Sequence, residues 1–138
     1  MRIFLDANIL FSAAKSAGAV RELLAQTRTA GHVLCADEYV VAEARRNLET
    51  KGDEALSALE ALLSDLELAP FQTTELPPDL AALVPEKDRP VLGAAIRLQC
   101  EALVTGDRMH FGALYGKCIR GVAIHSPRSL WEALSAAR

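Results

Sequence analysis

The first ten residues of the chain place an acidic side chain at the end of a buried strand. Residues 3–5 form an apolar Ile-Phe-Leu run, and Asp6 and Asn8 follow it at once. A continuous apolar run of this kind is typical of a strand covered on both faces, as in a parallel sheet between layers of helices. Open α/β folds bind their ligands at the carboxyl edge of such a sheet. The segment therefore predicts an α/β fold with Asp6 at its functional edge.

Further apolar runs recur along the chain, separated by stretches of helical character. The strand candidates after the first are residues 32–36, 66–71, 102–107 and 122–125. Strands that alternate with helices imply a parallel sheet with right-handed crossovers and helices on both faces. We predict a three-layer α/β/α sandwich with a central, mostly parallel sheet of four to five strands. At 138 residues, the chain has the length of one domain, covering residues 1–138.

Capping residues, prolines and glycines delimit the predicted helices. Asp37 has the character of an N-cap, Pro90 lies in a first turn, and Gly52 interrupts the helical pattern. The predicted helices cover residues 13–30 with an interruption at Gly18, 38–48, 54–66, 78–83, 88–98 and the segment that follows Pro127.

Four acidic residues are predicted to meet at the carboxyl edge of the sheet. Asp6 ends the first strand and Asp107 the fourth, whereas Asp88 opens a helix. Glu43 lies within the first two turns of another helix. Strand ends and the starts of the following helices share one edge of a βαβ fold. Hard divalent cations take oxygen ligands, and such a site suits phosphodiester cleavage because the metal activates water and offsets phosphate charge.

Each acid also has a simpler interpretation. Asp88 and Asp107 could be helix caps or turn residues, positions that favour aspartate. Glu43 could be a solvated helix residue, as glutamate usually is. Asp6 differs, because burying a carboxylate between two apolar runs is costly unless the group is paired or bound to a metal. The residues themselves therefore favour function at Asp6 and leave both interpretations open at the other three.

The sequences that flank these acids form a recognisable series of motifs. They are Asp-Ala-Asn at residues 6–8, Val-Ala-Glu-Ala-Arg at 41–45, Lys-Asp-Arg-Pro-Val-Leu-Gly-Ala-Ala at 87–95 and Val-Thr-Gly-Asp-Arg-Met-His-Phe at 104–111. Together they resemble the PIN-domain ribonucleases, and in particular the VapC-like toxins of bacterial toxin–antitoxin pairs. The resemblance spans nearly the whole chain, and the last two motifs are its most specific part. It implies an α/β/α sandwich that uses Mg²⁺ or Mn²⁺ to cut RNA endonucleolytically.

The resemblance also assigns roles to individual residues. The residues that match the family's catalytic and metal-binding quartet are Asp6, Glu43, Asp88 and Asp107. Asn8 matches the polar position two residues after the first acid, and Thr105 the hydroxyl two before the last. His110 is a departure, because many relatives have an aspartate there while other members share the histidine. It is either a residue of the site or a structural side chain beside Phe111.

These assignments give a mechanistic hypothesis. Asp6, Asp88 and Asp107 ligate the metal directly or through water, and Glu43 completes the site or orients a water molecule. Asn8 and Thr105 hold the carboxylates or a metal-bound water by hydrogen bonds. The arginines expected from their positions to hold flanking phosphates are Arg45, Arg46, Arg89 and Arg108. For these arginines, ordinary solvated surface charge is the alternative interpretation.

Two other classes of function are compatible with an acid after the first strand. Aspartate-based phosphatases use such a residue as nucleophile, but they usually have a second aspartate where this chain has Asn8. A PIN-like RNA-binding module without catalysis is the other alternative, although such a module would normally lack one of the four acids. Cleavage of RNA or of phosphomonoesters distinguishes these alternatives.

Composition indicates the cellular location of the protein more clearly than its chemistry. The net charge of −3 does not indicate nucleic-acid binding. Four clustered acids would nevertheless account for the whole excess of negative charge, and one bound Mg²⁺ would change the net charge to −1. No apolar run reaches the ~20 residues of a membrane span, and the N-terminus does not resemble a signal peptide. We therefore expect a cytoplasmic protein with no membrane contact. The resemblance adds a cognate antitoxin, an RNA substrate and a homodimer as expected partners.

Overall fold

One mixed sheet organises the fold. A computed structural model describes residues 1–73 and 75–136 of the chain. Its strands are β1 (Arg2–Leu5), β2 (Val33–Asp37), β3 (Glu67–Ala69), β4 (Ala102–Val104), β5 (Cys118–Ile119) and β6 (Val122–His125). They lie in the order β3-β2-β1-β4-β6-β5. All neighbouring pairs are parallel except β5 with β6. The predicted mostly parallel sheet is confirmed.

Helices connect the parallel strands. They are α1 (Ala7–Lys15), α2 (Ala19–Thr29), α3 (Glu38–Leu48), α4 (Asp53–Leu63), α5 (Pro78–Ala81), α6 (Arg89–Arg97), α7 (Arg108–Phe111) and α8 (Pro127–Ala136). Short 3₁₀ turns cover Glu49–Lys51, Glu86–Asp88 and Gly112–Leu114. Strands β1, β2 and β3 follow one another in one direction across the sheet, and the chain then returns past β1 to form β4 on its other side. Right-handed crossovers therefore place α1–α4 on one face of the sheet and α5–α6 on the other. The result is the predicted α/β/α sandwich.

The central strand is buried on both faces, as its apolar sequence requires. Ile3 pairs with Leu34 of β2 on one side and with Ala102 of β4 on the other. Ile3, Phe4 and Leu5 have no exposed surface. Burying side chains of this size contributes about 1.5–3 kcal/mol each relative to leaving them in water. The strand that ends at Asp6 is therefore held rigidly from both sides.

Two boundaries at the carboxyl edge differ from the sequence prediction. The helix after β1 begins at Ala7, not near residue 13, because Asp6 is its N-cap and its carboxylate accepts a hydrogen bond from the Ala7 amide. The strand before Asp107 ends at Val104, and Asp107 instead caps the four-residue helix α7. Both acids still lie at the carboxyl edge, because each follows its strand by at most a short turn.

The sheet has six strands, one more than the largest number predicted. The additional strand, β5, contains only two residues and pairs antiparallel with β6. Arg120 and Gly121 connect the two strands with φ values of 50° and 84°. Positive φ at both central residues is the signature of a two-residue hairpin turn, which glycine favours. The strand escapes prediction because two residues are too few to show a pattern of alternation.

The remaining core agrees with the patterns in the sequence. Cys35 and Cys100 are buried as free thiols. Asp37 caps α3 by accepting a hydrogen bond from the amide of Val40, as predicted. Within the described ranges, no helix combines the length and the apolar character that crossing a membrane would need.

Candidate metal centre

A cleft opens at the carboxyl ends of β1 and β4. The residues that line it are Asp6, Ala7, Asn8, Phe11, Glu43, Asn47, Lys87, Asp88 and Asp107. The chain leaves β1 towards β2 and leaves β4 towards β6, in opposite directions across the sheet. A crevice forms at such a switch point because the two connections diverge above the strand ends. All four predicted acids line this one cleft.

Asp6 lies at the bottom of the cleft with only 4% of its surface exposed. Its Oδ1 accepts a hydrogen bond from the Ala7 amide at 2.7 Å, and its Oδ2 accepts one from the Thr105 hydroxyl at 2.8 Å. Burial raises the pKa of Asp6 to about 6, and the nearby charges of Asp88 and Glu43 act in the same direction. The carboxylate is thus destabilised in its charged form unless a cation is close by.

Thr105 and Asn8 join the ends of the two central strands. The Thr105 hydroxyl donates to Asp6 and accepts from the Asn8 side-chain amide at 3.3 Å and from the Asp107 backbone amide at 3.1 Å. The Asn8 Oδ1 accepts from the Gly106 amide at 2.8 Å. The hydroxyl therefore uses its one donor and both of its acceptor positions. This network connects Asp6 with Asp107 through hydrogen bonds, and the positioning role of Asn8 and Thr105 stays a prediction.

Asp88 enters the cleft from the start of α6. It is only 8% exposed, and it makes no side-chain capping hydrogen bond to the helix it precedes. The simple interpretation of Asp88 as a helix cap is therefore wrong. Burial raises its pKa, an effect that His110 and Lys87 oppose. Its Oδ2 is a buried oxygen without a hydrogen-bond partner among the described residues.

Asp107 lines the cleft at the start of α7, and His110 lies directly beside it. The Asp107 Oδ1 caps this helix by accepting from the His110 amide at 3.1 Å. Its Oδ2 faces the imidazole, 2.9 Å from Nδ1, while the Asp88 Oδ2 lies 2.8 Å from the same nitrogen. The ligand atoms of Asp88, Asp107 and His110 all lie within 4.8 Å of one another. His110 is therefore part of the cluster and not only a neighbour of Phe111.

Glu43 completes the acidic wall from α3. It is half-buried, and its charge adds to the effect of burial in raising the pKa of Asp6, whereas the hydrogen bonds to Asp6 lower that pKa. Asn47 lies one helical turn further along the same wall. The interpretation of Glu43 as a freely solvated helix residue does not hold, because its side chain faces the other carboxylates across the cleft.

The predicted arginines do not form a common group at the cleft. Arg45 forms an ion pair with Glu60 of α4 at 2.6 Å, and Arg89 donates to the Ala81 carbonyl at 2.9 Å. Neither lines the cleft, because each side chain is engaged with a neighbouring helix. Arg46 and Arg108 are exposed residues of α3 and α7. This arrangement does not support the phosphate binding predicted for Arg45 and Arg89.

Two polar residues that line the cleft were not predicted as site residues. Asn47 follows Glu43 by four positions on α3, a spacing that places both on one side of a helix. Lys87 immediately precedes Asp88, and the Tyr39 hydroxyl fixes its backbone by donating to the Lys87 carbonyl at 2.7 Å. The helical spacing could have identified Asn47. Nothing in the sequence distinguishes Lys87 from other surface lysines.

The residues present fit a divalent cation. Four carboxylates converge, and Lys87 is the one basic side chain among the described residues that line the cleft. Like charges in one partly buried site disfavour their ionised forms unless a cation neutralises them. Asp88 also offers a buried oxygen with no hydrogen-bond partner among the described residues, which a metal bond would satisfy. Carboxylate oxygens are the ligands that Mg²⁺ and Mn²⁺ prefer.

The raised pKa of Asp6 predicts a pH dependence of stability in the metal-free protein. The folded state holds the Asp6 proton up to about pH 6, whereas the ordinary value is 3.8. The stability that the raised pKa of Asp6 adds to the folded state is therefore fully present below pH 4, and it is lost as the pH rises through 6. Between pH 4 and 7, wild type should lose on the order of 3 kcal/mol of unfolding free energy relative to Asp6→Asn.

Urea denaturation in EDTA across this pH range measures the difference. The exposed Glu54→Gln variant is the control and should keep a constant offset from wild type. A difference between wild type and Asp6→Asn that does not change with pH contradicts the prediction.

Two solved structures have the same fold over most of their length. One is a chain of the VapBC2 complex from Rickettsia felis bound to a DNA fragment from their promoter, with a TM-score of 0.67, 20% identity, and coverage of 91% of this chain and 98% of that one. The other is the PIN domain endonuclease Utp24, with a TM-score of 0.52, 20% identity, and coverage of 91% and 84%. At this identity the likeness concerns the fold alone. No curated protein matches the chain in sequence.

The family match covers the part of the chain that builds the cleft. The PIN domain family matches residues 2–109, which include all four acids as well as Asn8 and Thr105. His110 is the first residue beyond the matched range. The chain therefore belongs to the PIN domain family.

Proposed function

We propose that the chain is a metal-dependent endoribonuclease that cleaves RNA phosphodiester bonds at the cleft above β1 and β4. The observation that supports this most directly is the convergence of Asp6, Glu43, Asp88 and Asp107 on one cleft. Membership in the PIN domain family supports nuclease chemistry, and a fold shared with the PIN domain endonuclease Utp24 agrees with it. Mg²⁺ or Mn²⁺ is the proposed cofactor.

Each wall of the cleft has a defined part in this proposal. Asp6, Asp88 and Asp107 would hold the cation, directly or through water, and Glu43 would complete the site or accept a proton from the attacking water. When bound, the cation activates water and offsets charge on the attacked phosphate. Thr105 and Asn8 keep Asp6 and Asp107 in place through their hydrogen bonds. Lys87 lies where it can attract the phosphate backbone.

Loss of one carboxylate should remove most of the activity. Asp6→Asn and Asp88→Asn should each lower the RNA cleavage rate in Mg²⁺ or Mn²⁺ by about 100-fold or more, because the cation provides several kcal/mol of charge stabilisation. Thr105→Val, which removes only a positioning hydroxyl, should cost about 10- to 100-fold. EDTA should abolish cleavage, and added Mn²⁺ should restore it. Gel analysis of structured RNAs measures the rates.

Asp79→Asn is the matched control, because this aspartate is exposed and lies outside the cleft. It should cleave at the wild-type rate. Cleavage that resists EDTA, or that is unchanged in Asp6→Asn, rules out the mechanism. Hydrolysis of phosphomonoesters but not RNA would identify an aspartate-based phosphatase, and RNA binding without cleavage a non-catalytic module.

The exposed arginines should contribute to RNA binding through phosphate charge. In the Asp6→Asn background, Arg46→Gln or Arg108→Gln should lower the slope of log affinity against log salt by about 0.7 to 1, since each removes one phosphate contact. Fluorescence anisotropy with labelled RNA at several KCl concentrations measures this slope. Arg45→Gln is the control, and it should leave the slope unchanged because Arg45 is paired with Glu60.

We further propose that the nuclease is the toxin of a toxin–antitoxin pair and acts in the cytoplasm, as a homodimer, with a cognate antitoxin partner. The fold shared with a chain of the VapBC2 complex supports this role. Induction of the wild-type chain in bacterial cells should arrest growth, while Asp6→Asn should not. Co-expression of an adjacent small gene for a DNA-binding protein should restore growth. Continued growth of cells that contain active nuclease would contradict the toxin role.

A further inference from the structure

The arrangement of His110 differs from that of an ordinary hydrogen-bonded side chain. Its Nδ1 lies 2.8 Å from the Asp88 Oδ2 and 2.9 Å from the Asp107 Oδ2. Yet neither Nδ1 nor the Asp88 Oδ2 has a hydrogen-bond partner of acceptable geometry among the described residues, and both atoms are buried. Buried polar atoms of this kind are rare in native proteins unless an ion or water satisfies them.

The separations within this group are compatible with three atoms that share one cation. Neighbouring ligands of an octahedral ion with bonds of ~2.1 Å are about 3 Å apart. The two nitrogen–oxygen distances at His110 agree with that spacing, and all three ligand atoms lie within 4.8 Å of one another. Asp6 and Glu43 line the same cleft but lie outside this compact group. His110, and neither of the other two acids, therefore forms a compact group with Asp88 and Asp107 among the described residues.

The backbone of α7 fixes the imidazole in this position. Asp107 caps the helix with Oδ1, which leaves Oδ2 free to face the ring of the residue three positions later. Phe111 is fully buried and anchors the helix, while Met109 is 89% exposed on its outer side. These two neighbours leave the His110 ring facing Asp88 and Asp107. The orientation thus follows from packing and capping, and the ring needs no further movement to reach a cation.

We propose that His110 is a direct nitrogen ligand in the metal centre, together with Asp88 and Asp107. This inference rests on the proposed function and specifies its cofactor. Imidazole nitrogen binds first-row transition ions more readily than Mg²⁺, which prefers an all-oxygen shell. The chain therefore selects a first-row transition dication, for which Mn²⁺ is the probe, over Mg²⁺. Asp6 and Glu43 then act through water or on the substrate.

Electron paramagnetic resonance of Mn²⁺ with the untagged protein tests this assignment. Loss of the free-ion signal measures binding, and spin-echo modulation detects ¹⁴N bonded to the ion. Wild type should bind Mn²⁺ with nitrogen modulation, and His110→Asp should still bind but lose the modulation. In His110→Asp, Mg²⁺ should displace Mn²⁺ at about tenfold lower concentration, since the shell then contains only oxygen. His32→Asn is the matched control and should behave as wild type, because His32 contacts the N-terminal amine at the other edge of the sheet.

The outcomes separate this inference from the proposed function. Bound Mn²⁺ without nitrogen modulation in wild type, or modulation that persists in His110→Asp, overturns the assignment of His110 and leaves the metal-dependent nuclease intact. Failure of wild type to bind Mn²⁺ and Mg²⁺ overturns both. Nitrogen modulation that depends on His110, in a protein that does not cut RNA, establishes the metal ligand and rejects the nuclease.

Discussion

The pairing of β1 with β4 is the interaction on which the candidate centre depends. It continues one step past the regular strands, where the Asp6 amide donates to the Val104 carbonyl at 3.0 Å. This backbone bond places Asp6 beside Thr105, whose hydroxyl then connects it to Asp107. The acids at residues 6 and 107 are a hundred positions apart in the chain, yet adjacent strands with burial on both faces bring them together. A weaker pairing would leave both carboxylates free to move apart into water.

Burial and charge act against each other at this edge. Removing Asp6 and Asp88 from water raises the pKa of both carboxyl groups, and their proximity adds repulsion to the cost of desolvation. The fold offsets part of this cost with hydrogen bonds to Asp6, but none of acceptable geometry reaches the Asp88 Oδ2 from the described residues. A site that keeps this unfavourable electrostatic energy is typical of a functional site, because selection for stability alone would replace the acids. A bound cation would relieve it.

The prediction from sequence agrees best with the structure where one capping side chain or one apolar run fixes the local conformation. The apolar run before Asp6 identifies the central strand, and the cap at Asp37 identifies the start of α3. The four acids could be gathered at one edge because alternating strands and helices leave a βαβ fold little freedom in where strand ends lie. Two shorter elements were not predicted from the sequence. The two-residue β5 depends on its pairing with β6, and the four-residue α7 depends on the burial of Phe111 in the core, and neither contact can be read from the short element alone.

The sequence by itself determined the fold class, the buried first strand and the identity of the four acids, because each depends on local pattern or chain connectivity. Only the tertiary structure decided how close the acids come and which neighbours they have. It joined Arg45 to Glu60, brought Lys87 and Asn47 to the cleft, and set the His110 ring between Asp88 and Asp107. The reason is physical: a side chain's direction follows from the packing of elements distant in the chain, and no local pattern contains that information.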